Sequence, residues 1–359
     1  MDASDIMQRC SECQLCVYEC FFLSNLRKTP KKVVEELAKK LDPVKSYIME
    51  CFLCGLCQAV CPLNLDFPSV IAHARLEQAS FVLNDRRYKL FLPDEPMFFP
   101  RAYKTYKNLN YDSSEKNSFV YAFLPGCSMS CYSPEATLKV YEKLEEKLDA
   151  GLVDLCCGKP LSDAGLAERA LKWLVRLESY LKSKGCEKII TACPKCYYHL
   201  QSMFQGRFEV LTVYEVLGEL LKEGLASFNS KIAIHDSCPD RFKGHFATHV
   251  RKLFNNEQVL EMSHSRNRTI CCGSGGMVSC FNPYLSAMAS SRRVMEFLEA
   301  GADLMVVYCY TCAQIFWVTM PKIETKHVLD IALKTRDASQ DVKNQEVSKI
   351  AMKLLMDEP

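Results

Sequence analysis

Two runs of cysteine at fixed spacing constrain this chain more than anything else in it. Cys10-x2-Cys13-x2-Cys16-x3-Cys20 is followed, thirty residues on, by Cys51-x2-Cys54-x2-Cys57-x3-Cys61-Pro62. The x2 spacings let three thiolates on one turn reach three corners of a compact cluster, and the more distant fourth closes the cage. This is the spacing that holds [4Fe–4S] cubanes, and in two-cluster proteins the fourth cysteine of each run serves the other cluster. The expected ligand sets are therefore Cys10, Cys13, Cys16 and Cys61 for one cubane, and Cys51, Cys54, Cys57 and Cys20 for the other. Structural zinc needs only four ligands, commonly as two C-x2-C pairs, and does not account for eight positions in two complete runs. The first run lacks the closing proline and has Phe21 after Cys20.

Composition narrows the setting. Of 359 residues, 21 are cysteine. A disulfide scaffold is a poor explanation for so long a chain, which builds its own core and whose N-terminus reads as acidic and polar, without an export signal. The formal net charge of +2 provides no strong field for nucleic acid, and no run of eighteen apolar residues marks a membrane span. The expected location is cytoplasmic, or at a membrane only through a partner.

The remaining thirteen cysteines fall between 127 and 312, and most of them repeat. Cys127, Cys156, Cys157, Cys193 and Cys196 are followed by Cys238, Cys271, Cys272, Cys309 and Cys312 at offsets of 111, 115, 115, 116 and 116 residues. In each copy an apolar run enters the first cysteine (S-F-V-Y-A-F-L-P-G-C and K-I-A-I-H-D-S-C), and another enters the last pair. Helix candidates lie between, at 163–183 and 283–299. Strands alternating with helices imply parallel α/β layers, in which ligands gather at the carboxyl ends of strands. The expected fold class is α+β multidomain: residues 1–117 a helical dicluster domain with linker, 118–229 one α/β repeat, and 230–359 a second with a C-terminal helical tail (V-S-K-I-A-M-K-L-L-M). Helices are expected at 28–41 and 67–82. The prolines and turn formers of 91–117 suggest a linker packed over the surface.

Five thiols exceed what a cubane needs, so each set predicts a cluster outside cubane geometry. Adjacent cysteines on a regular strand point to opposite faces, so the backbone at each Cys-Cys pair must leave strand geometry. Gly158 and Gly273 permit the positive φ of such a turn. Ser274, Gly275 and Gly276 add N–H groups able to form a nest around sulfide or a substrate anion. Lys159 and Pro160 replace that nest in the first copy.

The pattern Cys…Cys-Cys-Gly…Cys-x-x-Cys, complete twice behind a dicluster run, resembles the paired CCG domains of heterodisulfide reductase catalytic subunits, in the fused arrangement of the membrane-linked methanogen enzyme. Related chains are iron–sulfur subunits of glycolate, lactate and anaerobic glycerol-3-phosphate oxidoreductases. The resemblance implies two noncubane [4Fe–4S] clusters besides the two cubanes, and a disulfide cleaved between the noncubane pair. Its implied partners are a flavoprotein, a hydrogenase- or formate-type donor, or a cytochrome b, together with a small disulfide or thiol substrate. Retention of all ten cysteines favours a disulfide-active oxidoreductase over its rival, a relay between a flavin dehydrogenase and a quinone or cytochrome b.

Three further residues are candidates for catalysis. His235, at a strand end near Cys238, is a candidate proton donor to a departing thiolate. Lys159 and Lys195 are candidates to offset thiolate charge or bind an anionic substrate. Arg241, His245 and the R-N-R of 266–268 form a candidate anion clamp, and Tyr310 is expected to pack over a cluster. Cys131, Cys186 and Cys280 have no counterpart in the other copy and read as ordinary thiols.

Overall fold

The computed structural model describes residues 3–39, 47–77, 79–111, 116–336, 338–341 and 344–346. Among these, no strand precedes Tyr121, and the N-terminal part is a packing of short helices. The helix Pro30–Ala38 starts on Thr29, whose side chain accepts from Lys32 N, with proline at its first position. The helix expected over 67–82 runs only from Phe67 to Leu76, and a second begins at Ala79. The C-terminal V-S-K-I-A-M-K-L-L-M lies outside the described residues. Among the described residues no helix is long and apolar enough to cross a membrane.

Among the described residues, seven strands form two parallel sheets. β1 (Tyr121–Leu124), β2 (Gly151–Leu152), β3 (Lys188–Thr191) and β4 (Glu209–Thr212) make the first, in the order β2-β1-β3-β4. β5 (Ile232–His235), β6 (Leu304–Val307) and β7 (Thr325–His327) make the second, in the order β5-β6-β7. The counterpart of β2 survives there as a single parallel bridge, Ile232 to Val259. The central strands β1, β3, β5 and β6 are short, mostly apolar and largely buried on both faces, as parallel strands between helices must be. The helix expected at 163–183 is Ala167–Ser183, preceded by a separate turn Lys159–Asp163, and the one at 283–299 is Pro283–Ala300. One apolar core runs through both repeats: Phe123, Ile190 and Leu217 of the first share it with Ile234, Phe246 and Val306 of the second.

The stretch expected to lie over the surface does so for most of its length, anchored by a few buried rings. Leu92, Phe98 and Tyr103 are buried, and Tyr103 packs against Tyr132 of the first repeat. Arg169 clamps the stretch by pairing with Asp94 and Glu95. Its large rings gain by burial while the residues between them stay at the surface.

A single guanidinium ties the three parts together. Arg75, fully buried, donates to the carbonyls of Ile48 (3.0 Å) and Met49 (3.3 Å), to Cys51 O (2.6 Å), to Asp163 O (2.8 Å) and to Gly276 O (2.8 Å). The first three belong to the cysteine loop of the N-terminal part, the fourth to the first repeat and the fifth to the second. Replacing Arg75 by Met strands these acceptors in the interior, and we expect a loss on the order of 3–5 kcal/mol in anaerobic denaturant unfolding. Arg75→Lys should recover only part of it, because an ammonium cannot reproduce the planar fork.

Candidate iron–sulfur centres and the chamber between them

The two N-terminal runs curl in the same way. Glu12 and Gln14 in the first, and Leu53 and Gly55 at the matching offsets in the second, all have positive φ. Each loop is thus wound tightly enough to turn its x2 cysteines inward. Cys16 is surrounded by Cys20, Cys10, Cys61 and Cys13, and burial and these neighbours push its thiol up to about 12. Cys20 is in hydrogen-bond contact with Cys57, beside Cys51 and Cys54. The cross-pairing expected from spacing, with Cys61 among the first run's sulfurs and Cys20 among the second's, matches these neighbourhoods. The first group is the more open: Cys13 is exposed, whereas Cys20, Cys51 and Cys57 are buried.

The ten repeat cysteines form two arrays with the same order of neighbours. In the first, sulfur contacts run Cys127 to Cys156, Cys156 to Cys157, Cys157 to Cys196 and Cys196 to Cys193. In the second they run Cys238 to Cys271, Cys271 to Cys272, Cys272 to Cys312 and Cys312 to Cys309. The two arrays touch through Cys193 and Cys309. Each array follows the turn after a strand. Cys127 opens the helix after β1, and Cys193 and Cys309 precede helices after β3 and β6.

Both Cys-Cys pairs leave strand geometry where glycine allows it. Gly158 has φ +82° and Gly273 φ +101°. Gly158 N–H points at Cys156 Sγ and Gly273 N–H at Cys271 Sγ, both at 3.4 Å. A Cβ on Gly273 would stand 2.3 Å from Ser286 O, so no other residue fits. Ser286 and Ser290 donate to the carbonyls of Gly273 and Cys272, each at 2.6 Å, and fix the turn from the helix behind it. The N–H groups of Ser274 and Gly275 reach Cys272 and Cys271, and Gly275 and Gly276 have a second task. A Cβ on them would come 2.4 Å from Phe52 O and 2.3 Å from Cys51 O. They let the second repeat close against the N-terminal cysteine loop, while Gly275 also hydrogen-bonds Cys271.

That closure sets the order of the centres. Cys271 lines a small cavity with Cys20, Cys51, Cys54 and Cys57. The other nine repeat cysteines line a larger cavity of about 210 Å³. Its outer wall is apolar: Phe91, Phe98 and Phe99 from the linker, with Tyr132, Ile315 and Val318. Lys159 and Lys195 reach its rim and both bind Asp163, at 2.7 and 3.0 Å. Burial favours neutral Asp163, but the two lysines outweigh it and hold its carboxyl well below the usual range. Lys195 also faces Cys238 and Cys193, one sulfur from each array.

His235 lies behind the wall. Its imidazole is fully buried, accepts from Arg293 Nε at Nδ1 (3.0 Å) and packs edge-on against Phe316. Burial and Arg293 pull its pKa down to about 3. The anion clamp is dissolved: Arg241 donates to the carbonyls of Cys54 (2.8 Å), Asn267 and Thr269, and His245 pairs with Glu215. Tyr310 stacks on His327 and bonds Asp330, turned into the core rather than over a sulfur array. Cys131 and Cys280 line the cavity without joining either array, and burial raises both thiols.

The donor sets suit iron–sulfur clusters. Hydrogen bonds from neighbouring sulfurs push Cys157, Cys271 and Cys309 well below the ordinary thiol value. Packed sulfurs that share protons in this way are poised to surrender them to a cation. Five convergent sulfurs exceed the four of a structural zinc site.

Comparison with known proteins agrees with this placement. Residues 9–66 match a 4Fe-4S dicluster domain, and residues 121–201 and 232–316 each match a cysteine-rich (CCG) domain. The chain is 22% identical over 330 residues to one subunit of the fumarate reductase (CoM/CoB) of Methanothermobacter marburgensis, covering 85% of this chain and 66% of that one. It is 23% identical over 313 residues to one subunit of the dihydromethanophenazine:CoB–CoM heterodisulfide reductase of Methanosarcina barkeri, covering 76% and 73%. With lactate utilization protein A 1 of Bacillus mycoides it shares 24% over 239 residues, covering 58% and 95%. The chain therefore spans about two thirds of the first relative and about three quarters of the second.

Gly273→Ala should remove about four irons from the second array and leave the others loaded, since one cluster of this class holds four. Iron and sulfide analysis of anaerobically purified protein measures the loss. Gly158→Ala should produce the same loss at the first array.

Proposed function

Because this chain belongs to the iron–sulfur family that joins a 4Fe-4S dicluster domain to two cysteine-rich domains, we propose that it is the electron-transfer subunit of an oxidoreductase that reduces a disulfide. Two cubanes would be held by Cys10, Cys13, Cys16 and Cys61, and by Cys51, Cys54, Cys57 and Cys20. Two noncubane clusters would be held by the five-sulfur arrays. When bound, such clusters store and pass single electrons. The observation that carries the proposal is the meeting of two complete arrays across one chamber, at Cys193 and Cys309. A relay needs a line of centres, whereas two facing arrays suit a substrate that must be split in two.

The chain's own residues give direction. Cys13 reaches the surface beside exposed Leu15, Tyr18 and Leu63, and a redox partner would deliver electrons there. The buried group of Cys20, Cys51, Cys54 and Cys57 meets Cys271, so the second array is the nearer of the two. At the chamber, Phe91, Phe98 and Phe99 exclude water, and Lys159 and Lys195 offset the charge of the thiolates. The overall step is RSSR′ + 2e⁻ + 2H⁺ → RSH + R′SH: the S–S bond breaks, and the electrons come from the partner.

The test is iron analysis followed by titration. Four clusters give about sixteen irons per chain, and a count near eight would sink the noncubane assignment. Protein reduced by viologen should be reoxidised by a cleavable disulfide with release of two thiols. Oxidised protein should develop a new paramagnetic signal when a thiol is added. Reoxidation by quinone analogues alone, with no response to any thiol, supports a relay between a flavin dehydrogenase and a quinone or cytochrome b.

A further inference from the structure

The two arrays share an order of neighbours, but not what stands behind them. Counting back three residues from the first cysteine of each repeat gives the last residue of β1 and of β5. In the first repeat it is Leu124 and in the second His235, both fully buried. Among the described residues, His235 is the histidine whose ring nitrogen lies within 4.8 Å of two array sulfurs, those of Cys272 and Cys312.

Arg293 decides what that ring can do. A guanidinium has only donors, so Nδ1 of His235, which accepts from Arg293 Nε at 3.0 Å, must present a lone pair. The proton of the neutral ring is then on Nε2. Arg293 cannot easily turn away, because it is fully buried and also donates to His264 O and Glu296 Oε2, each at 2.6 Å. Phe316 meets the imidazole edge-on at 5.2 Å and fixes its plane. Nε2 is buried and has no hydrogen-bond partner. A protonated nitrogen cannot ligate iron, but it can donate to a thiolate.

We propose that His235 is a positioning residue of the second array: Arg293 holds it as the Nε2–H tautomer, and it donates to Cys272 or Cys312. A hydrogen bond to a ligand sulfur stabilises the electron-rich, reduced state of the cluster behind it and raises its potential. Leu124 offers no such bond, so this contribution acts on the second array alone.

The inference rests on the reading that the second array holds a cluster, and iron analysis of the wild-type chain separates the two. A count near eight overturns that reading. With full iron, spectroscopically monitored redox titration of the whole chain tests this one. His235→Leu should lower the midpoint of one centre while the others hold, and His235→Gln, which keeps an N–H donor, should restore most of the shift. Unmoved potentials in a fully loaded His235→Leu protein, or His235→Gln behaving as His235→Leu, overturn it. If His235→Leu loads poorly, ¹⁵N-histidine hyperfine measurements on the reduced wild-type protein decide. A weak histidine coupling supports the N–H···S bond, and either no coupling or that of a direct ligand overturns it.

Discussion

Everything in this structure depends on Arg75 being buried without a carboxylate in its grasp. Its guanidinium spends its donors on backbone carbonyls from three separate folding units, among them that of the ligand residue Cys51. A charge taken out of water at such depth is costly unless every donor is satisfied and an opposite charge lies near. Burial pulls this guanidinium down, and Cys51 and Asp163 favour its charged form. Burial in turn pushes the Cys51 thiol up to about 12, so Asp163 is the charge at hand and Cys51 adds to it once ionised. Folding of the three units and charging of the sulfurs support each other, and an Arg at this junction makes the docking specific as well as tight.

The same interface explains the spacing of the centres. Electron transfer between clusters requires close approach, and side chains are what usually prevent it. Gly275 and Gly276 remove them where the second repeat meets Phe52 and Cys51. Arg241 then grips Cys54 O from the repeat side, and Arg292 and Arg268 bind Glu19 beside Cys20. The first repeat meets the N-terminal part elsewhere, where a Cβ on Gly165 would stand 2.2 Å from Arg75 O. Lys159 and Pro160 stand where the second has Ser274 and Gly275, and the turn they begin points Lys159 and Asp163 toward the chamber. The two arrays thus share one design but differ in surroundings: the second abuts the N-terminal cysteine loop, and Lys159 and Asp163 of the first repeat line the chamber.

Much of this was legible in the sequence, because cysteine spacing is a direct record of cluster geometry. The matched offsets of the ten repeat cysteines located both arrays and the strand ends that carry them. Positive φ at Gly158 and Gly273 followed from asking how adjacent thiols reach one site. What spacing could not record was partnership over long range. Arg75 looks like an ordinary helix residue until Asp163 and Gly276 are brought to it. Phe98 and Phe99 read as linker because proline surrounds them, yet their rings close the chamber. Gly275 and Gly276 were noticed for their N–H groups, but the absent Cβ that lets Phe52 and Cys51 approach left no separate signal. Asp163, which fixes both rim lysines, had no signal except an i, i+4 relation to Lys159. Tyr310 was judged by its place between two cysteines, but the helix begun at that residue turns its ring inward.

The chain of polar contacts behind the second array gives these pieces a common logic. From His235 it passes through Arg293 to Glu296, then to His264, and through His264 to Glu19, the neighbour of Cys20. Every member is fixed by its neighbours, and its two ends lie beside sulfurs of two different centres. In a low-dielectric interior such a network responds little to changes in charge, because its dipoles are already oriented. On the proposed reading, passing an electron between a cluster at Cys20 and one at the second array needs little reorganisation of the protein between them. The chamber side is built otherwise, with an apolar wall and two lysines sharing one carboxylate, a surface that can exchange an anionic occupant. On the proposed reading, rigidity lies where electrons cross and adaptability where a substrate enters and leaves.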